Sequence, residues 1–339
     1  MMQIKRGGRS WFFRSRSIVF WLSLLTLVSA FLSLRYGSVR MELGELLSAL
    51  VGRGDETHRV ILYRVRLPRM LAGLLGGVGL SVSGALLQRV TDNPLAAPSV
   101  VGVNAGAGAA VVLTLAFLPG FSLFSPIIAF FGAFGVSALL LLLTRALGGS
   151  RVTLVLLGTA MNALLGAVIS FFTLLDGDLL SVYHSFSIGG LAGVTVDALL
   201  LPCLFISAVF ASAWLLFPRL SVLSLGDARA ASLGVRPARL RLLATLLASV
   251  GAAAVVSFAG LLGFVGLVVP HLASRLSGYA PRRTLLATAL LGASMLLLAD
   301  LLARALLAPT EIPVGVLTAL LGAPFLVLLL FLTKGGQRR

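Results

Sequence analysis

The chain has 339 residues, 58% hydrophobic and only 11% charged, with 37 glycines and a formal net charge of +16. That balance excludes an ordinary soluble domain and leaves a protein of many membrane spans, each needing about 20 mostly apolar residues. The basic residues stand singly or in short clusters between apolar runs, which is the pattern that orients membrane helices and not a nucleic-acid-binding patch.

From the N-terminus, Lys5, Arg6, Arg9, Arg14 and Arg16 precede an apolar run from Ile18 to Leu34. Signal peptides begin in the same way, and Val28-Ser29-Ala30 resembles a cleavage site. The run exceeds the usual signal core of about 7–15 residues, which points to a retained first span over 17–35. Residues 36–63 are polar and hold Glu42, Glu45, Asp55 and Glu56. A second span is predicted over 66–89. Pro68 suits its first turn, where the missing N–H costs nothing, and Arg66 and Arg69, three residues apart, share a face. Gly73 and Gly77 are spaced for close helix packing. Asn93-Pro94 breaks the run, because proline removes a donor and clashes with the preceding turn. The third span, 97–117, repeats the glycine spacing at Gly102 and Gly106.

Further spans are predicted over 126–147, 152–175, 195–216, 240–259, 262–276, 284–307 and 313–333. Apolar runs of this length are helices, since lipid satisfies no backbone polar group. The fold class is therefore an all-α polytopic membrane protein of ten transmembrane helices, a single domain over 1–339 with tails at 1–16 and 334–339. Lone Cys203 excludes an internal disulfide. His58, His184 and His271 are isolated, so no metal site is expected, and no catalytic constellation is present.

Residues 217–239, PRLSVLSLGDARAASLGVRPARL, connect two spans and are amphipathic. Gly226-Asp227 is a start signal for a short helix and Gly234 a stop, with Leu225, Ala228, Ala231 and Leu233 sharing its faces. An apolar side outside the membrane must be buried against something, and no soluble domain exists to receive it. A partner subunit is the simplest occupant. The alternative is a helix lying on the lipid surface, against which the small Ala-Ala-Ser composition counts.

An even number of spans puts both tails on one side. Placing them in the cytoplasm leaves only Arg35, Arg40, Arg53, Arg59, Arg64, Arg66, Arg69 and Arg304 outside, eight of the 27 basic residues, in line with the positive-inside rule. Arg66, Arg69 and Arg304 are exceptions at span ends. Snorkelling to headgroups or pairing with Glu42 or Glu45 would account for the first two. Asp300 stands four residues before Arg304 on the same face, with Glu311 a further candidate partner.

RLPR at 66–69, SGALLQ at 83–88, NPLAAPSVVGVNAGA at 93–107, LGTAMNAL at 157–164, SLGDARAASLGV at 224–235, GLLGFVGLVVPHLASRLSG at 260–278, LLLADLLAR at 296–304 and EIPVGVLTALLGAPFLVLLL at 311–330 carry a resemblance. In this order and spacing they resemble the permease subunits of ATP-binding-cassette importers for iron-siderophores, haem and cobalamin (FecCD/BtuC-like, type II). The resemblance covers nearly the whole chain. Asp92 stands where Arg or Glu is commoner, and Asp227 where Glu is frequent.

The resemblance implies a homodimer around a central pathway in the plasma (inner) membrane of a prokaryote. Two cytoplasmic ATPase subunits would bind below, holding ATP and Mg, and an extracytoplasmic solute-binding protein would dock above. It makes Arg66, Arg69 and Arg304 docking residues for acidic groups of the binding protein, to which the guanidinium fork is suited. It makes Gly226, Asp227, Ala230, Ala231, Leu233, Gly234 and Arg236 the segment that couples to the ATPase. Gly73, Gly77, Asn93, Pro94, Gly102 and Gly106 remain packing and turn residues. The chain has no G-x-x-x-x-G-K-[ST] loop, so it is expected to hold no cofactor and to hydrolyse no ATP. Its cargo would be a metal chelate, an iron-siderophore or haem, with cobalamin as the alternative. An ion-coupled transporter would need ionisable groups near mid-membrane, and the span centres hold almost none.

Overall fold

The computed structural model describes residues 8–37, 41–53, 55–278, 280–308 and 310–335. Lys5, Arg6, Arg40, Arg338 and Arg339 lie outside the described residues, with the rest of 1–7 and 336–339 of the two tails. The chain runs through α1 (Gly8–Arg35), α2 (Leu43–Leu50), α3 (Glu56–Val60), α4 (Leu67–Thr91), α5 (Val103–Phe117), α6 (Ser125–Ala146) and α7 (Arg151–Leu175). It continues through α8 (Gly177–Ile188), α9 (Val196–Val222), α10 (Asp227–Ser232), α11 (Pro237–Ala259), α12 (Val265–Ser277), α13 (Pro281–Ala305) and α14 (Val314–Gly335). No strand occurs among the described residues.

Helix α4 is the axis of the bundle, packed against α9, α11, α12 and α13. Its sequence explains why: glycines on several sides let neighbouring backbones come close, where larger side chains would hold them apart. A methyl group at Gly77 would run into the backbone of Gly292 on α13, and one at Gly84 into that of Gly266 on α12. Gly73 faces Leu297 of α13. Around this axis α1, α6, α7 and α9 form a rim whose large apolar side chains, among them Trp21, Phe131, Leu156 and Leu204, face outward. Such a surface suits lipid and not water.

Seven stretches among the described residues are long and apolar enough to cross a membrane. Of the other three expected spans, α5 and α12 are helices of 15 and 13 residues, whereas α14 has 22. Helix α5 begins at Val103 and not near 97, because Pro98–Val101 form a 3-10 turn that ends in left-handed Gly102 (φ 76°). Helix α12 has 13 residues, about 20 Å at 1.5 Å per residue. Residues 260–264 ahead of it are irregular, and Phe264 is left-handed (φ 65°). Helix α14 is followed as an apolar stretch over Val314–Val327. The polar segment 36–63 contains α2 and α3, and the connection after α7 contains α8, neither anticipated as helices.

The break at Asn93-Pro94 is a built turn. Asp92 closes α4 in the left-handed conformation (φ 51°), and Asn93 Oδ1 accepts from the Leu95 N–H at 2.9 Å. The carbonyls exposed by the 3-10 turn find donors on other helices: Asn162 Nδ2 donates to Ser99 O at 3.1 Å and Ser137 Oγ to Val101 O at 2.8 Å. Gln88 Nε2 likewise donates to Leu267 O in the first turn of α12, at 3.0 Å. Irregular backbone at membrane depth needs such partners. Gly102 both supplies the left-handed residue that ends the turn and lies against Val136 and Leu140 of α6, and Gly106 lies against Gly132 and Val136.

Candidate functional site

The two ends of α4, about 37 Å apart for 25 residues, carry the two candidate regions. At its start the chain passes through one turn of π-helix, Ile61–Arg66, a departure frequent at functional sites. There Arg66, Arg69 and Arg304 converge, each less than 8% exposed. Arg69 Nε donates to Asp300 Oδ1 at 2.8 Å, and Arg69 Nη1 to Glu311 Oε2 at 2.7 Å. Arg304 Nη2 lies 3.0 Å from Asp300 Oδ2, close enough for the charges to pair although not aligned as a hydrogen bond.

The remaining donors close the end of α1. Arg66 Nη1 donates to the carbonyls of Leu34 at 2.6 Å and Arg35 at 2.8 Å. Arg304 donates to Tyr36 O at 3.1 Å and to Ser33 Oγ at 2.9 Å. The last carbonyls of a helix have no partner of their own and carry the negative end of its dipole, so guanidiniums there satisfy both needs. Three guanidiniums, two carboxylates and one helix end thus join α1, α4, α13 and the approach to α14. Neither Glu42 nor Glu45 pairs with Arg66 or Arg69; Glu45 caps α2 through the Glu42 N–H at 2.8 Å. Glu311 reaches Arg69, not Arg304.

Beside this cluster lies a cavity of about 510 Å³, lined by Arg69, Glu311 and the ends of α8, α11 and α14. Its wall is a junction of helix ends: Leu261 N–H donates to Phe186 O at 3.0 Å, and Gly190 N–H to Ala259 O at 2.9 Å. Gly315 fits there because any side chain would strike the Ile188 carbonyl.

At the far end of α4, residues 223–236 form a projecting loop. Helix α10 spans Asp227–Ser232, entered through Gly226 (φ 90°) and left through Gly234 (φ 79°). Ala230 is buried and anchors the loop, while Gly226, Asp227, Ala231, Leu233, Gly234 and Arg236 are exposed. Leu225 and Leu233 are 50% and 63% exposed, so much of the apolar face is left uncovered by the described residues. Asp227 accepts from Arg241 Nη1 at 2.7 Å and from Nη2 at 2.5 Å, tying α10 to α11.

No group of three His, Cys, Asp or Glu side chains able to hold a metal occurs among the described residues. His58 is less isolated than its sequence context suggests, its Nε2 lying 4.0 Å from Glu45 Oε1. Glu311, a candidate partner of Arg304 in the sequence, pairs with Arg69; for Asn162, Ser137 and Gln88 the one sequence signal is polarity inside apolar runs.

A family model described as the FecCD transport family matches residues 25–332. The chain is similar to a Fe(3+)-citrate import system permease of Bacillus subtilis (strain 168), 34% identical over 91% of this chain and 93% of that one. It is also similar to the hemin transport system permease of Yersinia pestis, 39% identical over 80% and 83% of the two chains. A vitamin B12 import system permease of Klebsiella pneumoniae is 38% identical over 95% and 96%. A solved structure described as an inward-facing conformation of a metal-chelate type ABC transporter is 32% identical, covers 93% of this chain and 99% of that one, and superposes with a TM-score of 0.84.

Proposed function

The chain belongs to the FecCD transport family, and from that premise we propose that it is the membrane permease of an ATP-driven importer that carries an iron chelate into the cytoplasm. The observation that carries the reading is the near-complete match to permeases of iron-citrate, haem and cobalamin systems. A homodimer, ten membrane crossings and cytoplasmic termini belong to the proposal, as does a separate ATPase, because the sequence lacks a phosphate-binding loop. Such a subunit does no covalent chemistry. It exposes a path alternately to the two sides, driven by contacts that differ between states.

Uptake of radiolabelled ferric citrate, ferric hydroxamate, haem and cobalamin by proteoliposomes tests this directly. ATP-dependent uptake of an iron chelate is expected, and none without the ATPase subunits. Transport that persists with no ATPase present would sink the proposal in favour of ion coupling.

The partner surfaces follow the same reading. The exposed Leu225–Leu233 face of α10 is proposed to seat in the ATPase. Arg66, Arg69 and Arg304 are proposed to receive the binding protein; because they are buried, an incoming carboxylate would reach Arg69 by taking the place of the partly exposed Glu311. Co-purification separates the two: Leu233→Glu is expected to lose the ATPase and keep the binding protein, and Arg69→Gln the reverse. Unchanged association in both variants at low salt would overturn these assignments.

A further inference from the structure

A second cavity, of about 620 Å³, lies at the α10 end of the bundle between α4, α6, α7 and α11. Three of its lining residues are arginines, Arg145, Arg239 and Arg241, against a single carboxylate, Asp227. Asp227 is already committed to Arg241, through two hydrogen bonds to its terminal nitrogens. Arg145 and Arg239 pair with no carboxylate among the described residues. The buried Nε of Arg241 has no hydrogen-bond partner there either.

The backbone adds to the same charge. Helix α11, 23 residues long, begins here, with Ala238 and Arg239 of its first turn lining the cavity and no side-chain cap at Arg236. The positive end of the helix dipole therefore lies beside two guanidiniums that have no carboxylate partner among the described residues. Guanidiniums carried on different helices fit a phosphate group better than a carboxylate, since a phosphate offers more acceptor oxygens to divergent donors.

We propose that this cavity binds a phosphate group, either the headgroup of an anionic phospholipid or soluble phosphate, and that the bound group competes with Asp227 for Arg241. Occupancy then loosens the tie between α10 and α11, so the ligand and the position of α10 are linked reciprocally. The inference needs only this geometry and does not depend on the transport reading.

The test uses the purified full-length chain without partner subunits. Retention of phosphatidylglycerol against phosphatidylcholine is read by native mass spectrometry, with inorganic phosphate titrated as competitor. Phosphatidylglycerol retention is expected to fall about tenfold for each of Arg145→Gln and Arg239→Gln, the effect of losing one charge-assisted contact, and to recover largely in the lysine variants. Asp227→Asn is expected to act the opposite way and tighten binding, because it frees Arg241. If instead inorganic phosphate binds with this arginine dependence and phosphatidylglycerol does not, the soluble anion is the ligand. Retention of both probes that is unchanged in Arg145→Gln and Arg239→Gln, or Asp227→Asn weakening the binding, would overturn the proposal. The aspartate arm stands even if an arginine variant fails to fold.

Discussion

Replacing Asp300 by alanine is expected to be among the most destabilising single changes in the chain, at about 3–5 kcal/mol. The carboxylate is 1% exposed and stands between Arg69 and Arg304, which have little solvent to fall back on. Its loss leaves Arg69 with Glu311 alone and Arg304 with no carboxylate partner among the described residues, and an uncompensated buried charge costs far more than a surface pair contributes. Glu311→Gln should cost much less, because its side chain is 30% exposed and water can replace it. Thermal unfolding of the detergent-purified variants, followed by tryptophan fluorescence, measures both. Equal losses, or a near-native melting temperature for Asp300→Ala, would show that the cluster does not hold the helices together.

Gly77→Ala and Gly84→Ala should be nearly as damaging although each adds one methyl group. At both positions that group meets backbone of the facing helix, Gly292 on α13 or Gly266 on α12. Backbone cannot rotate away as a side chain can, so the helices must separate and lose contacts along their length. A cost at or above the upper end of the usual overpacking range, about 3 kcal/mol, follows. Gly135→Ala on α6 and Gly166→Ala on α7 are the controls, because nothing lies within 4 Å of a methyl group there. Those two should be neutral or stabilising by up to about 1 kcal/mol, from helix propensity alone. Similar melting temperatures for all four variants would refute the close-approach argument.

The helical class, the turn at Asn93-Pro94 and the short helix bounded by Gly226 and Gly234 were legible because each rests on local rules: apolar length, proline and glycine. Span count was less so. Pro98 and Gly102 could have warned that α5 starts late, but nothing local distinguishes residues 260–264 from the apolar runs on either side, and their irregularity comes from contact with the end of α8. Helix α8 itself was hidden because Gly177–Ile188 is too short and mixed to stand out from a loop. The arginine cluster was half visible. Spacing put Asp300 beside Arg304, yet Arg69 reaches Asp300 across 231 residues and Glu311 across 242, separations that periodicity cannot address. Nor could sequence show that Arg66 would spend its donors on carbonyls of α1 and not on the nearby glutamates.

The capping of α1 also bears on the order of assembly during synthesis. The hydrogen bonds that fasten its end to Arg304 join residues 268 to 271 positions apart, and Thr26 meets Ser294 across 268. The first helix to leave the ribosome therefore cannot reach its final seat until nine-tenths of the chain has been made. Until then Arg66 is the part of this fastening that already exists, so the start of the protein waits, tethered at one point, for its far end to arrive.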